Sequence, residues 1–107
     1  MRALVLRLLR AYNAADPEPF DEVVSDDLPW KAKVLDEVRS GRSGQVDTLD
    51  VVVEGERAAE YWVERGMTGP DGATEPAIWG VNLYRIVAGR VIEFEQLEER
   101  RFPEGLA

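Results

Sequence analysis

A chain of 107 residues is one domain and no more, and a domain of this size buries only about two-thirds of its unfolded surface. Its hydrophobic share of 45% and charged share of 32% exclude a disordered chain, and its net charge of −8 argues against a nucleic-acid backbone or an anionic membrane as partner. There is no Cys and no His, which excludes disulfides, thiolate metal sites and the commonest neutral-pH base; any catalysis must use Asp, Glu, Lys or Tyr.

Residues 1–15 read as a helix, because Leu4, Leu8, Ala11 and Ala15 recur at helical spacing and Val5, Leu9 and Tyr12 widen the stripe. The run is broken by Arg7, is too short to span a bilayer and lacks a small-residue cleavage site. No signal peptide is read there, and a cytoplasmic location is expected. Asp16-Pro17 looks like a cap followed by proline at the first helical position, which predicts a short second helix over 18–24 carrying Phe20, Val23 and Val24. Pro29 is read as barring the helix from continuing, and 30–38 as a strand, although its charge pattern leaves it ambiguous.

The rest reads as sheet. Strands are predicted over 46–53, 57–68, 76–87 and 90–99, with turns at Ser40-Gly41-Arg42-Ser43-Gly44, at Glu54-Gly55-Glu56 and at Gly69-Pro70-Asp71-Gly72. The last two strands read as a hairpin around Ala88-Gly89. Alternation puts Ile78, Gly80, Asn82, Tyr84 and Ile86 on one face, and Trp79, Val81, Leu83, Arg85 and Val87 on the other. Both faces are largely apolar, so each needs a cover: core and pocket on one side, a second subunit on the other. The fold class expected is α+β, with N-terminal helices packed on a curved antiparallel sheet, as one unit over 1–107.

Several stretches stand out together: Arg10-Ala11-Tyr12-Asn13-Ala14-Ala15-Asp16-Pro17, then Val24-Ser25-Asp26-Asp27-Leu28, then Gly55-Glu56-Arg57-Ala58-Ala59 with Trp62 and Thr68-Gly69-Pro70-Asp71-Gly72. Asn82-Leu83-Tyr84-Arg85-Ile86 and Gly89-Arg90-Val91-Ile92-Glu93 complete the set. In this order and spacing they resemble the SnoaL-like branch of the nuclear-transport-factor-2-like superfamily. The resemblance implies a cone-shaped α+β barrel with a pocket between sheet and helices, in members that often dimerise through the sheet. Such proteins usually carry a further helix between the second and third strands. Only residues 44–48 are open to it on the strand assignment above, so that helix is expected to be absent or a single turn.

The superfamily includes ketosteroid isomerases, limonene-epoxide hydrolases and polyketide cyclases. By resemblance, the isomerase acid/base positions fall on Leu8, Asn82 and Ala32, which cannot run that reaction. The hydrolase positions fall on Trp62, Glu64 and Gln96, where one carboxyl survives and the arginine is gone. The histidine–aspartate pair of the cyclases falls on Asn82 and Gln96, two amides without a useful pKa for general acid/base work.

Trp62, Glu64, Asn82, Tyr84, Phe94, Gln96 and Glu98 share one face by alternation, and Trp30 joins them as a ligand-binding candidate. Aromatic rings with a few polar heads suit a small apolar or amphipathic molecule. Each residue has a second reading. The rings can be plain core, Asn82 can be a structural hydrogen-bonding group, and Glu64 can be a solvated edge residue. The carboxyls available for catalysis are Glu64 and Glu98. The charge run Glu93, Glu95, Glu98, Glu99, Arg100 and Arg101 reads as a solvated strand end, with Arg57 and Arg65 available to pair with Glu93 or Glu95. The cluster Asp21, Glu22, Asp26 and Asp27 matches no calcium loop, and no metal or cofactor is expected.

Three functions are open on this reading. The first is a small-molecule-binding domain with no complete catalytic set. The second is an enzyme of cyclase, isomerase or epoxide-hydrolase type using Glu64 or Glu98. The third is an interaction module that dimerises through the sheet. A homodimer is expected in each case.

Overall fold

A computed structural model describes residues 1–40, 45–66, 71–73 and 76–99, apart from the side chains of Glu98 and Glu99. The first helix, α1 (Arg2–Asn13), buries Val5, Leu8 and Ala11 along one side. The Asn13 side chain ties the end of α1 to the sheet: its Nδ2 donates to Val46 O at 2.8 Å and its Oδ1 accepts Val46 N–H at 2.8 Å. The second helix, α2 (Glu18–Val23), buries Pro19, Phe20 and Val23. Asp16 Oδ1 accepts the Glu18 N–H at 3.1 Å, as the sequence pattern predicts for a cap.

The main correction is at residues 30–38, which form no strand. A third helix, α3 (Pro29–Ser40), occupies the segment. Proline at a helix start has no N–H to lose, so Pro29 opens this helix rather than ending the previous one. Val34 and Val38 lie one turn apart and are buried, and Trp30 continues their row. Among the described residues the chain thus has three helices ahead of its first strand, and residues 45–48 belong to that strand. Buried Lys31 turns toward α2, where its Nζ meets Asp21 O at 3.0 Å and the Asp26 carboxyl. The ammonium holds the Asp26 carboxyl below the usual range, first through the hydrogen bond and then through charge. Part of the acidic cluster thus serves a buried lysine. Among the described residues no acidic group is arranged to hold a metal ion, and no helix is long and apolar enough to cross a membrane.

The sheet is an antiparallel meander of β1 (Gln45–Glu54), β2 (Arg57–Arg65), β3 (Ile78–Val87) and β4 (Arg90–Glu99), in that spatial order. Register shifts between Thr48 and Asp50 in β1, and opposite Arg85/Ile86 in β4, mark bulges, which bend a sheet and increase its twist. Val24 makes an isolated parallel bridge to Val91, both fully buried, which seats the end of α2 against β4. The core joins Val5, Leu8, Phe20, Val34 and Val38 of the helices to Ala58, Tyr84, Ile86 and Val91 of the sheet.

The alternation read in β3 holds. Ile78, Gly80, Tyr84 and Ile86 are buried under the helices, while Leu83 on the opposite face is 38% exposed. Cross-strand pairing extends that outer face as Val52, Ala59, Tyr61, Val81, Leu83 and Leu97, with Asp50 opposite Tyr61 and Glu95 opposite Leu83. Arg57 reaches Glu93 at 3.6 Å, as expected, and Arg85 bridges Glu93 and Glu56.

The turn joining β3 to β4 places Ala88 at φ 51° and Gly89 at φ 74°. A two-residue turn with both centres left-handed favours Asn-Gly, and an alanine there carries a steric cost. Ala88→Asn should stabilise the protein by about 0.5–1 kcal/mol. Urea unfolding would measure it; an unchanged or lower midpoint would contradict the argument.

Candidate functional site

Inner-face side chains of β2, β3 and β4 face α1 and α3 across a gap. From the sheet come Glu60, Trp62, Glu64, Ile78, Asn82, Tyr84 and Gln96, and from α1 come Leu8, Leu9 and Tyr12. Trp30, Lys33, Val34 and Glu37 of α3 complete the wall, with Phe20 and Val46 beside them. The cavity, which is partly open to solvent, measures about 360 Å³, within the range of small-molecule sites.

The polar floor is one connected network, and its polarity can be read from a single group. The Trp62 indole N–H can only donate, and it lies 2.9 Å from the Asn82 side-chain oxygen, Oδ1. Asn82 Nδ2 then points at Glu60 Oε1 (3.2 Å) and the Tyr84 hydroxyl (3.3 Å). The Tyr84 hydroxyl donates to Glu60 Oε1 at 2.9 Å, and Thr48 Oγ1 donates to Glu60 Oε2 at 2.8 Å. Gln96 Nε2 donates to Asn82 Oδ1 at 3.0 Å across the β3–β4 register. Glu60 is only 4% exposed, and each hydrogen-bond donor it meets among the described residues is neutral. Burial raises the Tyr84 phenol well above its ordinary value, and the Glu60 charge adds to the rise.

A second cluster lies nearer α1 and α3. The Tyr12 hydroxyl is 2.8 Å from Glu64 Oε2 and 3.3 Å from Glu37 Oε2. One hydroxyl proton serves one acceptor at a time, and the shorter contact favours Glu64. Burial and the neighbouring Glu64 carboxyl push the Tyr12 phenol far above its ordinary value. Glu64 is buried at 8% exposure, so its reading as a solvated edge residue is corrected. It sits mid-wall because its register partners, Val46 and Ile78, belong to strands on both sides of β2.

Of the residues singled out in the sequence, Trp30, Trp62, Glu64, Asn82, Tyr84 and Gln96 all line the cavity. Trp30 does so from a helix rather than a strand. Phe94 is not in the lining: its ring stacks on Trp30 at 3.7 Å between centroids and packs edge-on to Tyr84 at 5.3 Å. It is a backing residue, since the bulky indole of α3 lies over it. Glu98 shares the inner register, opposite Gly80, but its side chain lies outside the described residues. Of the positions carried over from the isomerases, Leu8 and Asn82 line the cavity, whereas exposed Ala32 does not. Sequence reading missed Glu60, Thr48 and Tyr12. The alternation that put Trp62 and Glu64 inside also puts Glu60 there; the signal was present, but a lone glutamate reads as outward-facing. The roles of Tyr12 and Thr48 needed the helix and strand placements.

No protein-family model matches the chain, and no curated protein matches it in sequence. Its structure does match solved ones. AclR from Streptomyces galilaeus, described as a hydroxylase, superposes at TM-score 0.74 with 20% identity, over 94% of this chain and 79% of that one. An NTF-2 like protein of unknown function from Burkholderia xenovorans LB400 gives 0.71 and 13%, over 95% and 84%. A protein described as a SnoaL-like polyketide cyclase from Jannaschia sp. CCS1 gives 0.64 and 17%, over 91% and 83%. The chain has the α+β fold of the SnoaL-like proteins within the nuclear-transport-factor-2-like superfamily, as the sequence resemblance implied. That fold hosts differently described activities among these neighbours, so function must be argued from the site.

Proposed function

We propose that the chain binds a small, partly apolar molecule in the cavity and holds it by hydrogen bonds without transferring its proton. The observation that supports this most directly is the Asn82–Gln96 pair on the cavity floor, 3.0 Å apart. Amides orient a ligand's polar group but do not exchange protons near neutral pH. N-phenyl-1-naphthylamine, a neutral probe that fluoresces in apolar cavities, should bind saturably at one site per chain. Leu9→Trp, which narrows the cavity from α1, should abolish that signal with the fold retained. Absence of saturable binding to the natural protein would overturn the reading.

A second reading is an enzyme working through a cavity carboxyl, favoured by the placement of Glu64 against Tyr12. Glu64→Gln separates the two. A binding protein should change affinity by less than about tenfold, the worth of one modest hydrogen bond. An enzyme using Glu64 should lose about 10²–10⁴-fold in turnover with binding retained.

We also propose a homodimer packed through the outer sheet face bearing Trp79, Val81 and Leu83. Support comes from the exposure of Leu83, Tyr61 and Leu97, at 38%, 44% and 55%, along paired strands. Sedimentation at micromolar concentration should give twice the 12.0 kDa chain mass. A sedimenting monomer would contradict the proposal.

A further inference from the structure

We propose that the cavity selects an amphipathic amine, with its apolar body against the aromatic wall and its ammonium group at Glu60 and Gln96. The inference rests on the binding reading above and adds the ligand's chemical class.

The argument starts from the donors of the floor, which are committed inward. Trp62 spends its only N–H on Asn82 Oδ1, and Asn82 turns its amide nitrogen toward Glu60 Oε1 and the Tyr84 hydroxyl, which lie on one side of it, 2.9 Å from each other. The Tyr84 and Thr48 hydroxyls donate to the two oxygens of Glu60. The high phenol pKa keeps the Tyr84 proton in place across the neutral range. Because Trp62 fixes which way Asn82 faces, Gln96 must present its nitrogen to Asn82. That leaves Gln96 Oε1 as an acceptor with no partner among the described residues, and the remaining lone pair of Glu60 Oε2 as another. No buried side-chain nitrogen or oxygen lacks a partner in the described structure, so the Gln96 oxygen is reachable from open space. Among the described residues the floor donors left over are at most one proton each of Gln96 and Asn82, against the acceptors of Gln96 and the carboxylate of Glu60. The floor therefore calls mainly for a donor.

Charge points the same way. Among the described residues, Glu60, Glu64 and Glu37 line the cavity against one cation, Lys33, which is exposed and can stay hydrated on α3. The aromatic wall offers π faces that attract an ammonium and repel a carboxylate. The net charge of −8 draws cations toward the whole molecule. A carboxylic acid of the same shape would meet the Glu60 carboxyl and acceptor lone pairs. A neutral alcohol would make one ordinary hydrogen bond where an ammonium makes charge-assisted ones.

The test uses three probes of matched shape, each displacing N-phenyl-1-naphthylamine from the whole protein: 2-(1-naphthyl)ethylamine, 2-(1-naphthyl)ethanol and 1-naphthylacetate. The amine is expected to bind about tenfold or more tightly than the alcohol, and the acid weakest. Glu60→Gln should remove most of that preference, weakening the amine about tenfold or more relative to the alcohol. Alcohol or acid binding as tightly as the amine would overturn the amine assignment and leave the cavity reading standing. So would a preference untouched by Glu60→Gln. Failure of N-phenyl-1-naphthylamine itself to bind would overturn both. Should Glu60→Gln fail to fold, the ranking of the three probes on the natural protein decides by itself.

Discussion

Asn82→Leu should destabilise the protein by about 3 kcal/mol or more, even though the leucine would sit in a largely apolar cavity. From the sequence alone, that substitution is expected to abolish ligand binding and spare the fold, since a buried amide without partners is itself costly. The structure reverses the expectation. Asn82 accepts from Trp62 and Gln96 and donates to Glu60 and Tyr84. Leucine would strip the Trp62 indole of its acceptor and take one donor from a carboxyl that is 4% exposed. Each buried polar group left unpaired costs about 1–3 kcal/mol, and more when it is charged. Urea unfolding of the two proteins would check this. A variant as stable as the natural chain would show that water readily replaces Asn82, and the network would lose its structural standing. Ligand binding should be lost as well, because the amide that orients Gln96 is gone.

Gly80→Ala should cost about 2–3 kcal/mol and disturb the cavity from behind. Gly80 stands opposite Trp62 in the β2–β3 register. A Cβ added there would meet the Leu97 carbonyl oxygen at 2.5 Å and Trp62 Cζ2 at 2.6 Å. The carbonyl is backbone and part of the β3–β4 ladder, so it cannot swing aside as a side chain would. The indole would have to tilt, and its N–H would leave Asn82. The variant should therefore show a lower unfolding midpoint together with a changed Trp62 environment in near-ultraviolet circular dichroism. Retention of both would mean that the sheet can yield at this point, and the close packing of Trp62 over Gly80 would not be what fixes the network.

Local pattern was enough for much of this molecule. The turn at Ala88-Gly89, the faces of β3 and the cap at Asp16 were all legible, because a two-residue turn, a period of two and a capping side chain are decided by near neighbours in sequence. Pairing Asn82 with Gln96 does not follow from that hairpin alone: a two-residue turn sets Asn82 against Glu95, and the bulge at the Arg85/Ile86 register shift brings Gln96 opposite it instead. The segment after Pro29 shows where local pattern stops. Trp30, Val34 and Val38 carry the helical spacing, while Lys31 and Lys33 alternate with Trp30, Ala32 and Val34 in the manner of a strand; the core around Val34 and Val38 selects the helix. Glu60 is the sharper case. A glutamate is costly to bury, so sequence alone turns it to solvent. Thr48 from β1 and Asn82 and Tyr84 from β3 supply the donors that let it stay inside. Sequence by itself determined the fold class and which residues of β3 face inward. Tertiary structure alone decided that Phe94 backs Trp30 and that Glu64 and Glu60 are buried, because burial of a polar group depends on partners contributed by other strands.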